Sequence, residues 1–115
     1  ASNGLNAIIR ESSFSNNTDA LRLSNFSSLK ITDTQFSKNT GTALHLVDIT
    51  SARLSNNTFT ENKVGVENHA FDLIVRDTFL KNTLALNLTR KSTAGARTLD
   101  LSTYTENTKN KEEGT

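Results

Sequence analysis

Five times along the chain an aromatic residue is followed, three positions later, by an asparagine. The segments are FSNN (14–17), FSKN (36–39), FTEN (59–62), FLKN (79–82) and YTEN (104–107). Successive aromatics lie 22, 23, 20 and 25 residues apart, within the window of ~20–50 residues that marks stacked repeat architectures. This recurrence constrains the fold more than any single residue does. A repeat so short cannot bury its own apolar face, but a stack of repeats can.

Two short alternating segments keep phase with the motif. One precedes each aromatic: AII (7–9), LKIT (29–32), ARLS (52–55), LIV (73–75) and TLDL (98–101). The other follows each of the first four asparagines: ALRL (20–23), ALHL (43–46), VGVE (64–67) and LALNL (84–88). Period-2 alternation marks strands with one buried face, and the helical 3.6 period is absent. One repeat therefore reads as strand, aromatic, Asn turn, strand, loop.

Stacking such repeats pairs each strand with its equivalents above and below, in parallel sheets rising ~4.8 Å per coil. Phe14, Phe36, Phe59, Phe79 and Tyr104 are expected to form an interior aromatic stack. Asn17, Asn39, Asn62, Asn82 and Asn107 are expected to form a ladder at a tight turn. Asn suits that place because it tolerates left-handed backbone and its amide can bond to the Asn one coil away. The preceding residues, Asn16, Lys38, Glu61, Lys81 and Glu106, alternate in charge from the second coil on, which sets opposite charges side by side on a stacked outer face. Each exposed pair contributes about 0–1 kcal/mol, so this row serves register more than stability. Pro is absent, as strands with hydrogen-bonding neighbours on both sides require.

Composition agrees. Only 34% of the chain is hydrophobic, while Thr, Asn and Ser number 17, 14 and 12, the small polar residues of turns and half-exposed strands. A net charge of +1 leaves no electrostatic footprint for nucleic acid or anionic lipid, and neither partner is expected. The lack of Cys excludes a disulfide framework and a Cys-based metal site. No signal-peptide pattern opens the chain and no apolar run approaches ~18 residues, so no direct membrane insertion is expected. The 115 residues suffice for one domain. They divide into repeats over 1–107 and a polar tail or linker over 108–115. The chain begins directly in patterned sequence and reads as an open-ended piece of a longer protein. Open ends expose strand edges, so adjoining coils of the parent chain, or a capping partner, are expected to cover them.

The run ALHLVDITSARLSNNTFTENKVGVEN (43–68) resembles the right-handed parallel β-helix repeat, and the likeness extends over roughly residues 5 to 107. That family includes pectate-lyase-like enzymes, autotransporter passengers and polymorphic outer-membrane proteins. The Phe-x-x-Asn motif looks like one of two short repeats of the last group. Where its Gly-Gly-Ala-Ile-like companion would stand, the chain reads TDAL, GTAL, KVGV and TLAL. The resemblance implies an all-β, right-handed parallel β-helix of about five coils. A leucine-rich repeat is the alternative. Ile49, Ala52, Leu54, Asn57 and Phe59 fit its frame, but other coils carry Ser12, Thr34 or Ser102 in place of Asn57. Its helix would also displace the second alternating segment.

Candidate chemistry is sparse. Asn17-Thr18-Asp19 is similar to one polygalacturonase motif, but the partner motifs are missing and Asn17 belongs to the turn ladder. Asp33 and Asp77 fall near equivalent positions two coils apart, with Asn56 between them, as a thin acidic stripe. Carboxylates ~10 Å apart make a poor calcium cage. Arg10, Arg22, Arg53 and Arg76 fall at different coil positions. His45 alternates with Leu44 and Leu46 and faces outward, while His69 falls in a loop. Glycosylation sequons begin at Asn16, Asn25, Asn56 and Asn87. Ser15, Ser37, Thr60 and Thr105 form an outer row that Leu80 interrupts. No nucleophile–base constellation or phosphate loop occurs.

No catalytic, cofactor-binding or metal-ligating residue is therefore assigned, and no cofactor is expected. The reading that follows is a non-catalytic, structural or adhesive β-helix module of a secreted or cell-surface protein, of the kind found in adhesins and autotransporter passengers. Its partners would be a host-surface receptor or a polysaccharide. The alternatives are a fragment of a polysaccharide lyase or glycoside hydrolase, and a glycan-binding module.

Overall fold

A computed structural model describes residues 6–69, 71–88 and 97–113. The strands in chain order are β1 (Asn6–Arg10), β2 (Ser13–Ser15), β3 (Leu21–Ser24), β4 (Ser28–Thr32), β5 (Gln35–Ser37) and β6 (Thr42–Val47). They continue as β7 (Ser51–Thr60), β8 (Val64–His69), β9 (Asp72–Leu80), β10 (Leu84–Leu88), β11 (Arg97–Asp100), β12 (Thr103–Thr105) and β13 (Lys109–Glu113).

Every pairing between these strands is parallel, and each joins equivalent segments of successive repeats. The result is an all-β solenoid with three faces. The first is β1, β4, the start of β7, the start of β9 and β11. The second is β2, β5, the ends of β7 and β9, and β12. The third is β3, β6, β8, β10 and β13. Five strand levels are thus stacked. The long strands β7 and β9 run through the first corner, fusing two faces into one sheet of eight strands.

The core is built from superposed positions. Leu29, Ala52 and Leu73 form one buried column of the first face, and Ile31, Leu54 and Val75 the next. On the second face Phe14, Phe36, Phe59, Phe79 and Tyr104 lie in register. Their rings stack with centroids 5.2, 4.7, 4.9 and 5.2 Å apart. Opposite them the third face supplies Leu44, Val66 and Leu86, together with Ala43 and Ala85. Burying each large apolar side chain stabilises by ~1.5–3 kcal/mol. The stack needs small neighbours: a Cβ added to Gly65 would lie 2.4 Å from the Ala85 carbonyl oxygen and 3.1 Å from the Phe79 ring.

Left-handed backbone occurs one residue earlier than the sequence suggests. It falls on Asn16, Lys38, Glu61, Lys81 and Glu106, with φ of 60°, 54°, 57°, 57° and 55°, and not on the ladder asparagines. The twist turns these residues outward and drives the next side chain, the Asn, into the interior. A second set of left-handed residues, Glu11, Asp33 and Asn56, marks the first corner. Between Ser55 and Thr58 the register shifts, so that Asn56 and Asn57 together oppose Asp77. The corner residue is thus missing from the fourth coil.

Two further segments differ from expectation. Residues 109–113, read as part of a polar tail, form β13, in register with β10. Their pairing is carried by the backbone, which the charged sequence does not report. His69 ends strand β8 opposite Val47 and is not in a loop.

Candidate functional site

Two ladders of polar side chains stand in the interior, one at each end of the aromatic face. The first is the expected one. Asn17 N donates to Asn39 Oδ1 at 3.0 Å. Asn39 N and Nδ2 donate to Asn62 Oδ1 at 3.1 and 2.7 Å. Asn62 makes the same pair of bonds to Asn82 at 2.8 and 3.0 Å. Asn82 repeats them to Asn107, again at 2.8 and 3.0 Å. The amide nitrogens also reach carbonyls in the preceding coil: Asn62 to Phe36 at 3.0 Å, Asn82 to Phe59 at 2.8 Å and Asn107 to Phe79 at 3.0 Å. This buried network satisfies its donors.

The second ladder stands at the first corner, and its members differ in type. Thr34 N donates to Asn57 Oδ1 at 3.0 Å. Asn57 N and Nδ2 donate to Asp77 Oδ1 at 3.0 and 3.1 Å, and Nδ2 also reaches the Ile31 carbonyl at 2.9 Å. Asp77 N donates to Ser102 Oγ at 3.0 Å. Thr34, Asn57 and Asp77 are buried. The sequence held this ladder only as the Asn position of a leucine-rich frame, occupied by Ser12, Thr34, Asn57 and Ser102.

Asp77 is consequently not part of an acidic stripe with Asp33. Asp33 sits on the exposed corner, where its Oδ1 accepts from Asn56 Nδ2, while Asp77 points inward beneath Asn57. Burial pushes the Asp77 carboxyl up to about 7, against the lowering effect of the Asn57 donors and with a smaller raising contribution from Asp100.

The fifth level carries a second ionisable group. Asp100 pairs with Val75 of β9 and is 8% exposed, so a carboxylate continues an apolar column. Tyr104 Oη donates to it, Lys111 Nζ lies 3.0 Å from its Oδ2, and Ser102 N donates to its Oδ1 at 3.0 Å. Lys111 stands opposite Leu86, an interior position of the third face. Burial raises the Asp100 pKa, but the bonds from Tyr104, Lys111 and Ser102 outweigh it and hold the group below the usual carboxylate range. Burial, and then the bond to Asp100, push the Tyr104 hydroxyl well up. Leu99 and Leu101 face solvent here, 51% and 47% exposed.

On the outer surface the residues before the ladder form a ridge. A shallow open groove along it is lined by Lys38, Thr40, Glu61, Lys63, Lys81 and Thr83, and Lys81 Nζ lies 3.9 Å from Glu106 Oε1. Ser15, Ser37, Thr60, Leu80 and Thr105 superpose as one row, broken at Leu80. His45 Nε2 lies 3.4 Å from Glu67 Oε2 on the third face, with Arg22 and Asn87 in the same column. Arg53 approaches Asp72 at 3.9 Å. Arg10 and Arg76 do share a coil position, with Thr32 and Ser55 between them, unlike the scattered placement expected. Three levels apart, they form no clamp.

The remaining motif residues have structural tasks. Asn17 enters the ladder, and Asp19 Oδ1 accepts from Thr42 N at 3.0 Å. Of the sequon asparagines, Asn16, Asn25 and Asn56 are exposed with positive φ, whereas Asn87 lies within β10.

Comparison with known proteins agrees with the architecture. No curated protein and no solved structure matches the chain. Residues 1–84, well over half the chain, match the family described as the right handed beta helix region. The matched residues include the superposed rungs of the first levels, and the chain belongs to the right-handed β-helix family.

Proposed function

We propose that this chain is a non-catalytic module of a secreted or cell-surface protein, with a structural and adhesive role. It acts as a stiff rod that presents long polar faces to a receptor or polysaccharide. The observation that carries this reading is how the recurring side chains are used. Rings meet rings and amides meet amides one rung away, so the repeat's residues serve stacking itself. The partial exposure of Ile9, Phe14, Leu21 and Leu23, which pack against the core from the first level, favours an adjoining coil as the nearest partner.

The test is to probe the purified chain against a glycan array and immobilised matrix proteins, and to incubate it with polyuronates. Saturable binding without turnover supports the reading. Release of unsaturated or reducing sugar ends overturns it, as does the absence of binding to every surface presented.

A further inference from the structure

Five ladder amides obey one rule. The Nδ2 of each donates to the carbonyl three residues before the ladder member of the preceding coil: Asn39 to Phe14, Asn57 to Ile31, Asn62 to Phe36, Asn82 to Phe59 and Asn107 to Phe79. Asp77 occupies the same kind of place. It accepts from Asn57 through Oδ1 and donates its own N–H to Ser102. By the rule, its second oxygen takes the position from which an amide would donate to the carbonyl of Leu54. That oxygen, Oδ2, is buried without a hydrogen-bond partner. An ionised carboxylate cannot fill this place, because both facing oxygens would be acceptors. A protonated one can, and it then mimics Asn.

We propose that Asp77 stands in the ladder as a neutral carboxylic acid, its Oδ2 proton donated to the Leu54 carbonyl, and that loss of this proton loosens the joint between the third and fourth levels. The solenoid is then a pH-sensitive rod, tightest under mildly acidic conditions.

The surroundings agree. Asp100 from β11 raises the Asp77 pKa by repulsion, the smallest of the named causes. Tyr104 from β12 and Lys111 from β13 are bonded to Asp100, and the neighbour from β7 is the uncharged Asn57. Burial is the largest cause and disfavours the anion. A carboxyl group whose folded pKa exceeds its unfolded value binds more protons when folded. Stability therefore falls as pH rises from 3.8 to about 7 and levels off above that window.

The experiment is urea unfolding of the chain and of Asp77→Asn across this window and beyond it. For the native sequence the unfolding equilibrium constant rises by up to about tenfold per pH unit within the window. Asp77→Asn, which keeps a donor at every pH, lacks this rise and is the more stable of the two above the window. Parallel profiles overturn the proposal, as does a variant less stable than the native chain above the window. If the variant fails to fold, the carboxyl carbon-13 shift of Asp77 in the folded native chain decides. A protonated group at about pH 5 supports the proposal, and an ionised one at that pH overturns it.

Discussion

The side-chain amide of Asn62 donates to the backbone carbonyl of Phe36, one coil away, at 3.0 Å. This bond explains the spacing of the recurring motif. The ring of Phe36 lies in the stack while its carbonyl is held by the Asn of the next repeat. An aromatic and an Asn three residues apart are therefore tied across the rung interface as well as along the chain.

Asn62→Ala should be costly. It strands the N–H of Asn39, leaves the Asn39 amide only its 3.4 Å bond to the Phe14 carbonyl, and removes the amide that Phe36 and Asn82 accept from. Each buried group left unsatisfied costs about 1–3 kcal/mol, so a loss on the order of 3 kcal/mol is expected, part of it recovered by water entry. The urea midpoint, at unchanged slope, is the measurement.

Phe59→Ala removes a fully buried ring from between Phe36 and Phe79. A cost of about 3–5 kcal/mol is expected for such a cavity. Phe14→Ala, at a partly buried end of the same stack, should cost clearly less. Equal losses from the two, read by thermal unfolding, would contradict an interior stack.

Gly65→Val should be destabilising by roughly 1–3 kcal/mol or more, because the new Cβ meets the Ala85 carbonyl and the Phe79 ring. The backbone oxygen cannot move without shifting β10. Expression yield and the unfolding midpoint report the effect. A midpoint within error of the native one would show that the third face can slide away from the rings.

Asp100 responds to acid. Its folded pKa is depressed, despite its burial, by the bonds from Tyr104, Lys111 and Ser102. Its contribution is therefore present above the ordinary carboxylate pKa of 3.8 and is lost as pH falls through the lower folded value. Lys111→Met should weaken the fifth level near neutral pH and reduce this acid-dependent loss. Unfolding midpoints below about pH 5, compared between the two chains, test the sign.

Glu61→Lys replaces the alternation of Lys38, Glu61 and Lys81 with three like charges on one ridge. These are solvent-facing groups, so the change should stay below about 1 kcal/mol and shrink as salt is added. Unfolding at low and high salt separates the two components. A large, salt-independent loss would mean that Glu61 does more than keep register.

The sequence alone determined the period, the parallel stacking, the aromatic column and the first ladder. Repeats of equal length bring like residues into superposition, so local pattern and long-range contact carry the same information. Tertiary structure decided what lacks a repeating residue type. The second ladder uses Thr34, Asn57, Asp77 and Ser102, because the ladder N–H needs only an oxygen to receive it, and hydroxyl, amide and carboxyl all provide one. The left-handed corners fall on residues as different as Asn16, Lys38 and Glu61, because the neighbouring bonds impose the backbone angle. At the fifth level Asp100 turns in while Leu99 and Leu101 turn out. A strand held by its partner's backbone keeps its register, and Tyr104 and Lys111 are placed there to satisfy the buried charge.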